Sequence, residues 1–82
     1  MNYKNLLQEF CQKHKLILPE YQTIQNNKRF ISEVKIVYND KEYVVVGTYE
    51  TNKKDAEKSA AESMLNQINE VRQNLILSLI HI

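Results

Sequence analysis

The sequence predicts an α+β fold in the order α-β-β-β-α, a three-stranded antiparallel sheet with two helices packed on one face. Three observations carry that expectation. Stretches with apolar residues at three- and four-residue steps lie near both ends of the chain, and stretches of period two lie between them. The connections between the period-two stretches are short and built from Asn and Asp.

Each element has its own signal. From Asn2 to Lys15, the residues Tyr3, Leu6, Leu7, Phe10, Cys11 and His14 recur with the period of an amphipathic helix. Pro19 ends helical geometry by pushing its predecessor toward extended backbone. Glu20 to Gln25 sets Tyr21 among polar neighbours and reads as a short strand, with an Asn26-Asn27 turn after it. Lys28 to Tyr38 alternates, placing Phe30, Ser32, Val34, Ile36 and Tyr38 on one face and Glu33 and Lys35 on the other. Asn39-Asp40 tolerates left-handed backbone and marks a hairpin. Lys41 to Glu50 has the β-branched and aromatic composition of a third strand. Asn52 is an N-cap, and behind it Ala56, Ala60, Ala61, Met64, Leu65, Ile68 and Val71 form one apolar stripe, whose alanines allow close approach to a sheet. The expected core is Leu6, Phe10, Phe30, Val34, Ile36, Ala60 and Met64. Residues 1–70 form the domain and 71–82 an apolar extension, in which periodicity alone assigns no structure to Asn74 to Ile82.

Composition excludes several classes of function. A chain of 82 residues is one domain, and 43% hydrophobic residues with one Gly and one Pro exclude disorder and collagen. The single cysteine closes no intramolecular disulfide, and no Cys/His cluster has zinc spacing, so neither a metal nor a cofactor is expected. No apolar run reaches the roughly 20 residues that span a bilayer, so no membrane partner is expected. The start of the chain lacks the apolar segment of a secretory signal, which gives the expectation of an intracellular, cytoplasmic or nuclear location. Cys11 falls on an apolar helix face, His14 has no orienting third group, and the lone Gly47 makes no phosphate loop, so no enzyme is expected. Net charge is only +1, and any nucleic-acid reading must rest on where the lysines sit.

Three segments decide that question. Leu7-Gln8-Glu9, Leu18-Pro19-Glu20-Tyr21, and Lys53-Lys54-Asp55-Ala56 with Lys58 and Ala60-Ala61 together resemble the double-stranded RNA-binding domain family, over roughly Tyr3 to Ile68. The stretch Tyr49 to Ala61, without a Gly-x-Gly, is most similar to plant members. The lysines have a physical rationale of their own. At about 100° per residue, Lys54 and Lys58 share a helix face opposite Ala56 and Ala60. Lys53 sits beside the Asn52 cap, where free backbone N–H groups already favour an anion, and Asn52 joins Lys53, Lys54 and Lys58 as an expected RNA contact.

The resemblance implies that the first helix contacts a minor groove. Its polar sector of Asn5, Gln8 and Glu9 suits 2′-hydroxyls and base edges. Two departures from the family pattern stand out. Only eight residues separate Tyr21 from Phe30, with no Gly-Pro-x-His segment, so Lys28 and Arg29 are expected to reach phosphates rather than a groove interior. Glu57 stands where a third lysine is common and subtracts positive charge. The expected function is non-catalytic binding of double-stranded RNA by shape, sequestering duplexes or assisting an RNA-processing enzyme, in RNA silencing. The partners so implied are duplex RNA, such an enzyme, or another protein of the same family. The alternative is a protein-interaction or dimerisation module with weak or no RNA binding. The strand Tyr43 to Val46 is apolar on both faces, and the tail residues Leu75, Leu77, Leu79 and Ile80 would join two chains into a homodimer.

Overall fold

A computed structural model describes residues 2–80, and side chains within residues 2–68. The elements are α1 (Tyr3–Lys13), β1 (Glu20–Asn26), β2 (Arg29–Tyr38), β3 (Lys41–Val46) and α2 (Lys53–Ile80). The sheet is antiparallel in the order β1-β2-β3. The expected α-β-β-β-α architecture is the observed one.

Local chemistry sets each boundary. Asn2 caps α1 by accepting the Asn5 N–H on its side-chain oxygen at 3.2 Å. The helix ends two residues earlier than its apolar pattern suggests. His14 is the C-cap and Lys15 adopts φ 57°, so that the Leu16 N–H reaches Cys11 O at 2.7 Å and the Lys15 N–H reaches Gln12 O at 3.2 Å. This is a Schellman ending with lysine where glycine is usual. The first hairpin turns on Asn27-Lys28, since Asn26 still pairs with Arg29, and Asn27 takes φ 59°. The second turns on Asn39-Asp40, with both residues left-handed at φ 54° and 62°.

The third strand is shorter than its composition implies. β3 ends at Val46, the Gly47 N–H makes a last bond to Ser32 O of β2 at 2.9 Å, and beyond it the chain meets β2 again at an isolated bridge between Phe30 and Glu50. The departure is caused by Gly47, whose backbone presses against α2, and by the Thr48 N–H, which donates to Ser59 Oγ at 2.7 Å rather than to a strand.

α2 lies across the sheet on the face that carries Val34, Ile36 and Ser32, and its Ala56, Ala60, Ala61 and Met64 are fully buried there. α1 packs on α2 through Leu7 and Cys11, both fully buried, and reaches the sheet through Phe10 and His14, which gather on the Tyr38 ring at 5.4 and 5.7 Å. Leu6, an expected core residue, is instead 38% exposed, because the buried arc of α1 centres on Leu7 and Cys11. Burial of large side chains such as Leu7, Ile36 and Met64 stabilises the fold by about 1.5–3 kcal/mol each. Ser32, buried within β2, is satisfied by Thr23 Oγ1 at 3.0 Å and by Gln22 O. The opposite face of the sheet is open, with Ile24, Val44 and Val46 exposed around Lys35, which lies between Glu20 and Glu42.

Candidate nucleic-acid interface

The N-terminal ends of the two helices come together. α2 begins at Lys53 because Asn52 closes a reciprocal cap: its Oδ1 accepts the Asp55 N–H at 2.8 Å and its Nδ2 donates to Asp55 Oδ2 at 3.0 Å. With acceptor and one donor committed, Asn52 mainly holds the helix start in place. The first turn of α2 then offers unpaired backbone N–H groups among Lys53 and Lys54.

A cleft of about 560 Å³ separates the helix ends, lined by Asn2, Lys4 and Asn5 from α1 and by Lys54, Asp55 and Lys58 from α2. The sequence-predicted Asn5, Lys54 and Lys58 therefore face one hollow, with both lysines exposed. Gln8 lines an adjoining hollow of about 300 Å³ with Asn5, Pro19 and Tyr21. Lys53 and Glu9 are exposed but line neither.

Lys28 and Arg29 stand apart from this group, at the tip of the first hairpin. They line a second hollow of about 540 Å³ with Asn26, Asn27 and Tyr49. Tyr49 is 48% exposed, and its hydroxyl accepts from Asn26 Nδ2 at 3.4 Å. Strand composition alone places Tyr49 within the third strand and misses it as a surface aromatic. Only the break in the ladder at Gly47 turns it toward the hairpin tip. Leu75, Leu77, Leu79 and Ile80, the expected dimer contacts, fall on the backbone of α2, but their side chains lie outside the described residues.

Electrostatics beneath the cleft centre on Tyr21. Lys4 Nζ meets Glu57 Oε1 at 2.6 Å and lies 5.0 Å from the Tyr21 ring centroid. The Tyr21 hydroxyl is buried and has no hydrogen-bond partner among the described residues. Burial, then the Glu57 carboxylate, then Cys11 push that phenol up to about 12. Burial also raises the Cys11 thiol, which suits a packing residue rather than a nucleophile. Among the described residues no group of three or more His, Cys, Asp or Glu is placed to hold a metal, and no helix is long and apolar enough to cross a membrane.

Comparison with known proteins points the same way as the geometry. A family model, "Double-stranded RNA binding motif", matches residues 3–68. Ribonuclease 3 of Oceanobacillus iheyensis is 42% identical over a region covering 84% of this chain and 31% of that protein. The chain thus spans about a third of the curated relative it matches. Among solved structures, a variant of the human tRNA-dihydrouridine(20) synthase dsRBD superposes with a TM-score of 0.71 at 30% identity, covering 84% of this chain and 71% of that one. Arabidopsis HYL1, described with implications for miRNA processing, superposes with a TM-score of 0.65 at 26% identity, covering 84% and 99% respectively.

Proposed function

Because this chain belongs to the double-stranded RNA binding motif family, we propose that it recognises duplex RNA by shape, through two contacts held at a set spacing. Lys53, Lys54 and Lys58 clamp phosphates at the start of α2, and Asn5, Gln8 and Glu9 of α1 read the adjoining minor groove. The observation that carries this reading is the shared cleft, which sets Asn5 against Lys54 and Lys58. Lys28, Arg29 and Tyr49 add a lesser contact from the hairpin tip. The two-residue turn presents Lys28, with Arg29 at the start of β2, to the backbone of the duplex rather than inserting a loop. The domain serves an RNA-processing activity inside the cell, by sequestering duplexes or delivering them to an enzyme. Its likeness to part of a ribonuclease 3 and to HYL1 supports that role, RNA silencing included.

A gel shift tests the reading with a duplex RNA of about 16 base pairs and DNA of the same sequence. RNA is expected to be retained at protein concentrations that leave DNA free. Equal binding to both would remove the minor-groove contact from the proposal.

We further propose self-association through the C-terminal extension. α2 continues to Ile80, beyond the family match, and its sequence there carries Leu75, Leu77, Leu79 and Ile80. Light scattering on the full chain and on one ending at Arg72 is expected to give a dimer and a monomer. A dimer that survives truncation would move the interface to the open face of the sheet, around Val44 and Val46.

A further inference from the structure

Lys4 and Glu57 form an ion pair that joins the two helices bearing the proposed RNA contacts. Their atoms meet at 2.6 Å, with side-chain exposures of 40% and 24%. The other ion pairs among the described residues cross the open sheet face from Lys35, at 3.6 and 3.7 Å. Lys4 is held from a second side by the Tyr21 ring. Its neighbour in sequence is Asn5, and the neighbour of Glu57 is Lys58, so the pair sits between the groove-reading side chains and the clamp.

We propose that Lys4 and Glu57 are positioning residues, which set the spacing between the minor-groove contacts of α1 and the phosphate clamp of α2. Glu57 weakens the clamp by charge count, yet strengthens RNA binding by holding α1 in register. The inference rests on the duplex-RNA reading above.

The mechanical reason lies in how α1 is held. No ladder hydrogen bond locates this helix, which apart from the ion pair is held by non-directional contacts alone: Leu7 and Cys11 pack on α2, Tyr3 and Leu16 flank them, and Phe10 and His14 touch the sheet at Tyr38. Packing of that kind permits sliding along α2, whereas a short ion pair near the N-terminal ends does not. Shape reading demands both contacts at once, and a displacement at one end breaks the other. Without the Glu57 carboxylate, Lys4, Lys54 and Lys58 share a cleft whose remaining lining acid is Asp55, and the excess of positive charge drives the helix ends apart.

Charge count and positioning predict opposite signs, which makes the proposal testable. Parent, Lys4→Glu, Glu57→Lys and the exchanged Lys4→Glu/Glu57→Lys chain are titrated with the same RNA and DNA duplexes, with thermal melts alongside. Glu57→Lys is expected to bind RNA about three- to tenfold more weakly despite its added positive charge, the size of coupling usual between residues that touch. The exchanged chain, with the net charge of the parent, is expected to recover both the affinity and the preference for RNA over DNA. Glu57→Gln provides the same sign of effect should Glu57→Lys melt below the assay temperature. Tighter binding by Glu57→Lys, or by Glu57→Gln in its place, overturns the proposal. So does an exchanged chain that stays weak, since Lys4 then contacts RNA itself. A parent chain that binds no duplex overturns the functional reading instead, a separate result.

Discussion

The backbone of Gly47 lies against the backbone of Ser59 and Ala60, so closely that a methyl group on Gly47 would fall 2.6 Å from Ala60 N. That approach sets the height of α2 above the end of β3, and the Ser59 hydroxyl locks it by accepting from Thr48 N–H at 2.7 Å. Gly47→Ala must push the strand and the helix apart. It is expected to lower stability by about 1–3 kcal/mol, the usual cost of overpacking. Urea melts would show this as a lower midpoint at unchanged slope. Ser59→Ala in the same chain should not restore stability, because the helix backbone remains in the way.

Replacing Lys53, Lys54 and Lys58 together by Ala tests the clamp. All three are exposed and the Asn52 cap is untouched, so stability should stay within about 0.5 kcal/mol per site. The log–log salt dependence of RNA binding should flatten by about 3, near one unit for each phosphate no longer neutralised, by analogy with duplex DNA. An unchanged slope would shift the clamp to Lys28 and Arg29.

Element order and the buried stripe of α2 were legible because periodic patterns report which face of an element is covered. Ala56, Ala60 and Met64 are read correctly from spacing alone. Element ends were less legible where an uncommon residue performs the stop. Lys15 takes the left-handed position that glycine usually marks, so α1 reads two residues too long. Gly47 ends β3 by approaching a helix distant in sequence, which no local pattern announces. The same limit governs the site. The lysine cluster is local and visible, whereas the Lys4–Glu57 pair spans 53 positions and the Asn26–Tyr49 hydrogen bond spans 23. Glu57 reads from sequence as a reduction of charge, and only the fold reveals its partner.

Tyr21 gives the protein an alkaline limit. Its phenol is raised in the folded chain to about 12 from an ordinary value of 10.0, so the unfolded chain ionises first as pH rises. Stability is therefore unaffected by this group below about pH 10 and declines between about 10 and 12. The raised Cys11 thiol acts in the same direction and begins near its ordinary value of 9.0. Tyr21→Phe keeps the ring beneath Lys4 and removes a buried hydroxyl that has no partner among the described residues. It is expected to be neutral or stabilising by up to about 1 kcal/mol near neutral pH, and to flatten the alkaline limb. Denaturant melts from pH 8 upward check both outcomes.

Tyr49 tests whether the hairpin tip touches the duplex. Its phenol is half exposed above Asn26, and it shares a hollow with Lys28 and Arg29. A hydroxyl in that place donates and accepts, which suits a ribose 2′-hydroxyl, while the lysine and arginine cations beside it suit phosphates of either nucleic acid. Tyr49→Phe should therefore weaken RNA binding by about two- to fivefold, the worth of one hydrogen bond, and leave the weaker DNA binding unchanged. Lys28→Ala with Arg29→Ala should weaken both, and lower the salt slope for both. Titrations of the two variants against paired RNA and DNA duplexes separate these effects. Tyr49→Phe binding RNA as the parent does would remove the 2′-hydroxyl contact, and an unchanged Lys28→Ala/Arg29→Ala chain besides would place the hairpin tip outside the duplex, leaving recognition to the cleft between α1 and α2.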